Sequence, residues 1–257
     1  MTTKAVSVER DGKVAVVRFD RGGSLNAFNQ DLILELTAVA KDFQEDLETQ
    51  AVVLTGAANS FSAGIDLKDR ATWEPLDDVA QRSRFYRGVR LCAAWEAMPQ
   101  VTVAAIEGMA VGAGVALALA CDWRVMGRGA FLYVPEVKIG LNLQWGALPR
   151  LITLVGPARA KRIVLLCERM NADHALDWGL IEEIADDGAA VAAARELAEA
   201  AAAMPAATVR MVKEAVNATA NALHGATGFA DADQSQLTRG FSDALAAREA
   251  FGQGSER

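Results

Sequence analysis

Four short apolar runs, Val14 to Phe19, Ala51 to Thr55, Val101 to Ile106 and Trp123 to Met126, are separated by segments of helical period or by a glycine-opened apolar stretch. Strands joined through helices are expected to lie parallel with those helices covering them, so this order predicts an α/β fold with a buried sheet. The first run has a closer partner. Ala5 to Val8 and Val14 to Phe19 flank Asp11-Gly12, which predicts a β-hairpin. Asn29 is placed to cap the next helix, whose apolar residues Leu32, Ile33, Leu36, Val39, Ala40 and Phe43 recur at helical spacing. Asp77 to Met98 reads as one long helix stopped by Pro99, and Val111 to Ala120 as an apolar helix opening in glycine. From Pro157 onward the pattern is almost all helix, alanine-rich from Ala189 to Ala203. That shift divides the chain into an α/β core, 1–190, and a C-terminal helical region, 191–257, expected to cover the core or a neighbouring subunit.

At 257 residues, 52% of them apolar, the chain can bury a large core. Val101 to Ala120 is interrupted by Glu107 and by glycines, and no apolar run reaches the roughly 18 residues of a membrane span. Met1 to Arg10 has no basic stretch followed by an apolar block, so a cytoplasmic protein without membrane attachment is expected. Cys92, Cys121 and Cys167 are odd in number and lack metal spacing, which points to reduced thiols. With His174 and His224 alone, neither a zinc site nor a histidine-based triad is expected, and no bound metal is expected. The net charge of −7 argues against nucleic acid as a partner.

Two glycine-bearing segments follow predicted strands. Phe61-Ser62-Ala63-Gly64-Ile65-Asp66-Leu67-Lys68 comes after the strand Ala51 to Thr55, and its small residues let the backbone turn sharply and offer an N–H to a ligand. Gly108-Met109-Ala110-Val111-Gly112-Ala113-Gly114-Val115 follows Val101 to Ile106, and small residues there leave the first helical N–H groups uncovered. A plain strand-to-helix turn, or close packing of a helix on the sheet, would account for either segment alone. No Gly-Lys-Ser/Thr follows, so this is not a phosphate-binding Walker loop.

Together with Leu25-Asn26-Ala27, Ile106-Glu107-Gly108, Ala120-Cys121-Asp122, Pro135-Glu136-Val137-Lys138-Ile139-Gly140, Leu154-Val155-Gly156 and Ala175 to Ile181, these segments resemble the crotonase, or enoyl-CoA hydratase/isomerase, family over roughly Ala5 to Glu183. The resemblance implies a crotonase-like spiral of ββα units with a C-terminal helical region, assembled as trimers or pairs of trimers. It implies an acyl-CoA thioester as substrate, with coenzyme A part of that substrate and no separate cofactor. By the same resemblance the N–H groups of Ile65 and Ala113 hold a thioester oxyanion. The Ala63 to Lys68 loop, with Asp66, Leu67 and the early-loop Ala27, would bind the coenzyme, and Lys68 with Arg21 would meet its phosphates. The family frequently ends in a helix whose basic residues reach a neighbour's coenzyme, and the tail from Arg239 to Arg257 departs from that pattern, offering only Arg239, Arg248 and Arg257.

The choice of reaction rests on carboxylates. Family hydratases typically carry two glutamates, and here the Pro-Glu position holds Glu136 while the other holds Ala116. One carboxylate can lift a proton from one carbon and return it to another, the shift of a 3-enoyl-CoA to a 2-enoyl-CoA. Hydration by an enzyme recruiting Glu107 or Gln144 to position water is the alternative, and a non-catalytic acyl-CoA-binding subunit is a third reading. Gln144 cannot act as a base but can orient water or substrate. Trp145 and Trp73 are expected to line the acyl pocket.

Overall fold

The computed structural model describes residues 5–254, and the side chain of Trp73, those of 251–254 and the tail residue Arg257 lie outside the described set. The predicted hairpin is β1 (Val6–Asp11) against β2 (Val14–Phe19), with Asp11 opposite Val14. Then follow β3 (Ala51–Thr55), β4 (Val101–Ile106), β5 (Met109–Val111), β6 (Trp123–Gly127), β7 (Phe131–Tyr133), β8 (Met170–Asn171) and β9 (Glu183–Ala185). They form a six-stranded sheet in the order β1-β2-β3-β4-β6-β9, parallel beyond the hairpin, and a three-stranded sheet in the order β5-β7-β8. Consecutive strands go to different sheets: β4 then β5, β6 then β7, β8 then β9. Single parallel bridges, Phe28 to Ile65 and Ser62 to Ala110, carry the smaller sheet's pairing into the early loop and the 61–68 segment.

The helices of the first half are α1 (Gln30–Gln44), α2 (Arg70–Trp73), α3 (Asp78–Phe85), α4 (Arg87–Glu96) and α5 (Ala113–Ala118). Those of the second half are α6 (Ala147–Leu165), α7 (Ala172–Asp177), α8 (Ala190–Ala202), α9 (Ala206–Ala220), α10 (His224–Gly228), α11 (Asp231–Thr238) and α12 (Ser242–Gly254). Asn29 caps α1 as expected, its side chain accepting from the Leu32 N–H at 2.9 Å.

Three expectations need correction. The helix predicted over Asp77 to Met98 is broken at Tyr86, whose hydroxyl donates to the Phe229 carbonyl at 2.8 Å and lies 2.7 Å from Asp233. The helix predicted from Val111 starts only at Ala113, because 109–111 pair as β5 and Gly112, at φ 50° and ψ −107°, turns the chain between them. Beyond Pro157 the chain is not almost all helix: β8 and β9 return to the two sheets. Pro157 itself lies inside α6, just after a break at Gly156 (φ 75°, ψ 164°), where it begins a helical turn and lacks no needed N–H.

Alternation along the strands builds two cores. Ala15, Val17, Phe19, Val52, Leu54, Ala104 and Ile106 face α1, α4, α5 and α6, meeting Leu36, Phe43, Leu91 and Trp95. On the other face Val14, Val53, Val101, Val103 and Val125 pack on Ala190, Ala194, Ala198 and Ala202 of α8. An alanine every fourth residue gives that helix one smooth stripe, which lets its backbone approach the sheet closely.

The early loop hangs on Asn26, which is 3% exposed and left-handed at φ 58°. Its Nδ2 donates to the carbonyls of Phe19 and Phe61, both at 2.9 Å, and its Oδ1 accepts from the Arg21 N–H at 3.2 Å. Asn26→Ala leaves buried carbonyls without donors and forces alanine into a left-handed conformation, so a loss of about 2 to 4 kcal/mol is expected in denaturant unfolding. An unchanged midpoint would contradict this role.

Candidate active site

The two glycine-bearing segments lie side by side. Ser62 donates its N–H to the Met109 carbonyl and accepts from Val111, both at 2.9 Å. On its other edge the first segment pairs with the early loop, Phe28 N–H to Gly64 carbonyl at 2.7 Å and Asp66 N–H to Phe28 carbonyl at 2.9 Å. This pairing leaves the Ile65 N–H with no acceptor among the described residues. The Ala113 N–H is likewise unclaimed, because the first residues of a helix have no carbonyl one turn back. Gly64 (φ 90°) makes the approach possible: a Cβ there would stand 2.9 Å from the Val111 carbonyl oxygen and 3.7 Å from the Ala113 nitrogen.

Glu136 begins a short 3-10 turn, Glu136–Ile139, directly after Pro135. Its carboxyl rests on Gly112, where a Cβ would come within 2.4 Å of Oε1. The bare glycine therefore lets the carboxyl sit next to the start of α5. Oε2 is buried without a hydrogen-bond partner among the described residues. Burial in this setting pushes the carboxyl up to about 7, so near neutral pH both its acid and its base form are present.

A cavity of 270 Å³ opens over these groups. It brings together Ala63, Ile65, Leu67, Ala113, Glu136, Gln144 and Trp145 from the predicted set, and Ala116, 1% exposed, lines it too. Trp145 takes a left-handed backbone (φ 64°) and lays its indole on Gly88, where any Cβ would meet Cε2 at 1.8 Å; its ring meets Phe28 edge-on at 5.7 Å. A larger apolar groove of 670 Å³ lies along α9, lined by Val209, Val212 and Val216, and contains none of these groups.

Ala27, Asp66 and Lys68 are outside the cavity lining. Arg21 donates through Nη1 to the Ala27 carbonyl and to Asp66 Oδ2, both at 2.7 Å, so one edge of its guanidinium holds the loop. Burial of Asp66 opposes its ionisation, but the hydrogen bonds from Arg21 and the Lys68 N–H outweigh it and lower its pKa. The Lys68 side chain is exposed.

Glu107 is also elsewhere. Its Oε1 accepts from the Ala190 N–H at 2.9 Å, capping α8, and its Oε2 packs on Gly127. It therefore cannot position water in the cavity.

Residues that sequence reasoning did not assign to the cavity include Gln30, Thr72, Arg84, Phe85 and Arg239, supplied by or beside α1, α2, α3 and α11. Gln30 and Thr72 are bonded at 3.3 Å and Arg87 donates to Gln30 at 2.8 Å. None sits in a recognisable motif, so only the folded chain brings them here.

A sequence profile described as Enoyl-CoA hydratase/isomerase matches residues 9–249. The short-chain-enoyl-CoA hydratase of Clostridium acetobutylicum is 32% identical over 218 residues, 84% of this chain and 82% of that protein. A probable enoyl-CoA hydratase of Mycobacterium bovis is 33% identical over 220 residues, again 84% and 82%. In three dimensions the chain is similar to an enoyl-CoA hydratase crystal structure from Mycobacterium avium subsp. paratuberculosis, with a TM-score of 0.85, 27% identity, and 97% and 96% of the two chains covered. A profile match over nearly the whole length, two-sheet topology and paired glycine segments agree, and the chain belongs to the enoyl-CoA hydratase/isomerase family.

Proposed function

We propose that the protein moves the double bond of a 3-enoyl-CoA to the 2-position through a thioester enolate. The observation that carries this reading is that, among the described residues, Glu136 is the only acidic one lining the cavity, where the same lining holds Ala116. The thioester oxygen would lie between the N–H groups of Ile65 and Ala113. Negative charge gathers on that oxygen as C2 loses a proton, and a donor of this kind is typically worth on the order of 3 kcal/mol in the transition state. Glu136 takes the C2 proton, becomes neutral, and returns a proton to C4 as the electrons shift into the new C2–C3 double bond. A carboxyl with a pKa about 7 suits both halves of that exchange. The same reading includes a homotrimer or dimer of trimers, to which α9 would lend the exposed Met211, Val212 and Val216.

Hydration is the second reading, favoured by the names of the relatives and by Gln144, which can orient water from the cavity wall. Incubation with 3-enoyl-CoA and 2-enoyl-CoA in ¹⁸O-water separates the two. Conjugation of the 3-enoyl ester without ¹⁸O uptake is expected. Rapid appearance of an ¹⁸O-labelled 3-hydroxyacyl ester, with no bond migration, would sink the isomerase reading.

A further inference from the structure

We infer that the acyl group accepted by this site carries a carboxylate at the end remote from the thioester, an inference that rests on the acyl-CoA reading above. Buried arginines elsewhere in this chain are paired with acids: Arg124 with Glu182 and Arg150 with Glu96, each at 2.7 Å. Arg84, 7% exposed and part of the cavity wall, forms no such ion pair among the described residues. Its Nη1 donates to the carbonyls of Ala71 at 3.0 Å and Glu74 at 2.7 Å, while its Nε is buried with no acceptor.

Two more guanidiniums gather nearby. Arg239 lines the same cavity, and Arg84 and Arg239 both lie over the Phe85 ring, at 5.9 and 5.5 Å from its centre. Arg248 donates through Nη2 to the Arg239 carbonyl, and its Nη1 is another buried donor without an acceptor among the described residues. Burial, with the charges of Arg248 and Arg84, lowers the pKa of Arg239. Crowded cations are costly in the interior, as are the unmet donors at Arg84 Nε and Arg248 Nη1, and a planar anion among these guanidiniums relieves the repulsion.

Among the described residues the lining offers one acid, Glu136, which is partly protonated at neutral pH and belongs to the reacting end. Phosphates of the coenzyme are a poorer match for Arg84, because this guanidinium is buried on α3, whereas the loop expected to bind the coenzyme ends in the exposed Lys68. An acyl chain, by contrast, carries its own terminal carboxylate into the cavity.

The test is equilibrium binding of two unreactive esters of matched length, adipoyl-CoA and hexanoyl-CoA, to the full chain by calorimetry. Adipoyl-CoA is expected to bind at least about tenfold more tightly, as charge-assisted hydrogen bonds would give. Arg239→Met, which leaves the bonds from Arg84 to the Ala71 and Glu74 carbonyls in place, should bring the ratio close to one. The preference should persist with the corresponding pantetheine esters, which have no phosphates. Equal binding of the two CoA esters overturns the inference and leaves the acyl-CoA reading standing. A preference that vanishes in the pantetheine esters, or Arg239→Met weakening both CoA esters alike, also overturns it by assigning the arginines to phosphate. Binding of neither CoA ester rejects the acyl-CoA reading and the inference with it.

Discussion

Glu136→Gln is expected to lose about 10³ to 10⁴ of the turnover number while making the folded protein more stable above neutral pH. Both effects come from one buried carboxyl. In the folded chain it holds its proton up to about 7, against 4.5 for an ordinary glutamic acid. Below pH 4.5 it is neutral in both states and contributes no difference. Between those values the unfolded chain releases its proton first, so stability falls as pH rises through the window. Above about 7 the whole cost of ionising it in the interior is present, about 3 kcal/mol. Glutamine keeps the shape and has nothing to ionise. The variant and the parent should therefore unfold at the same denaturant concentration near pH 4, and the variant should be the more resistant at pH 8. Equal midpoints at pH 8 would mean that the carboxyl is hydrated in solution, and unchanged double-bond migration would remove Glu136 from the proton path.

Much of this site was legible in the sequence, and its surroundings were not. The long apolar strands were legible because each is five or six residues with a hydrophobic partner on both faces. The cap at Asn29 was legible because its chemistry is local. Ile65, Ala113 and Glu136 came from motifs, and the fold brings them to one cavity.

The second sheet was not legible. Its strands are two or three residues long, too short to show a period, and they are held by pairing with segments distant in sequence. The break at Tyr86 was hidden for a similar reason, since the groups that hold its hydroxyl, at Phe229 and Asp233, lie about 140 residues away. Glu107 entered the alternative reading because a carboxylate beside a glycine-rich motif looks chemical, whereas its partner is the first N–H of a helix that begins 83 residues later. Arg84 reads as one more charge on a polar helix, and only burial marks it out.

Ala116→Glu provides the converse of the Glu136 experiment, with a gain of hydration as the expected result. Ala116 is one helical turn beyond Ala113 on α5, 1% exposed, and shares the cavity with Glu136. A second carboxyl there cannot ionise freely beside the first, because burial and the neighbouring charge both oppose it. One of the pair stays protonated while the other is ionised, which supplies an acid and a base at the same pH. Hydration needs that division: one group deprotonates water at C3 while the other protonates C2. We expect 2-enoyl-CoA hydration, followed by loss of the conjugated absorbance, to rise by about a hundredfold or more over the parent, with a stability loss of about 1 to 3 kcal/mol for the added buried polar group. Ala116→Gln is the control, since it fills the same space and can orient water without exchanging a proton. A similar gain from Ala116→Gln would show that water placement, not a missing carboxylate, limits hydration in the parent. No gain from a folded Ala116→Glu would detach the choice of reaction from the count of carboxylates in the cavity.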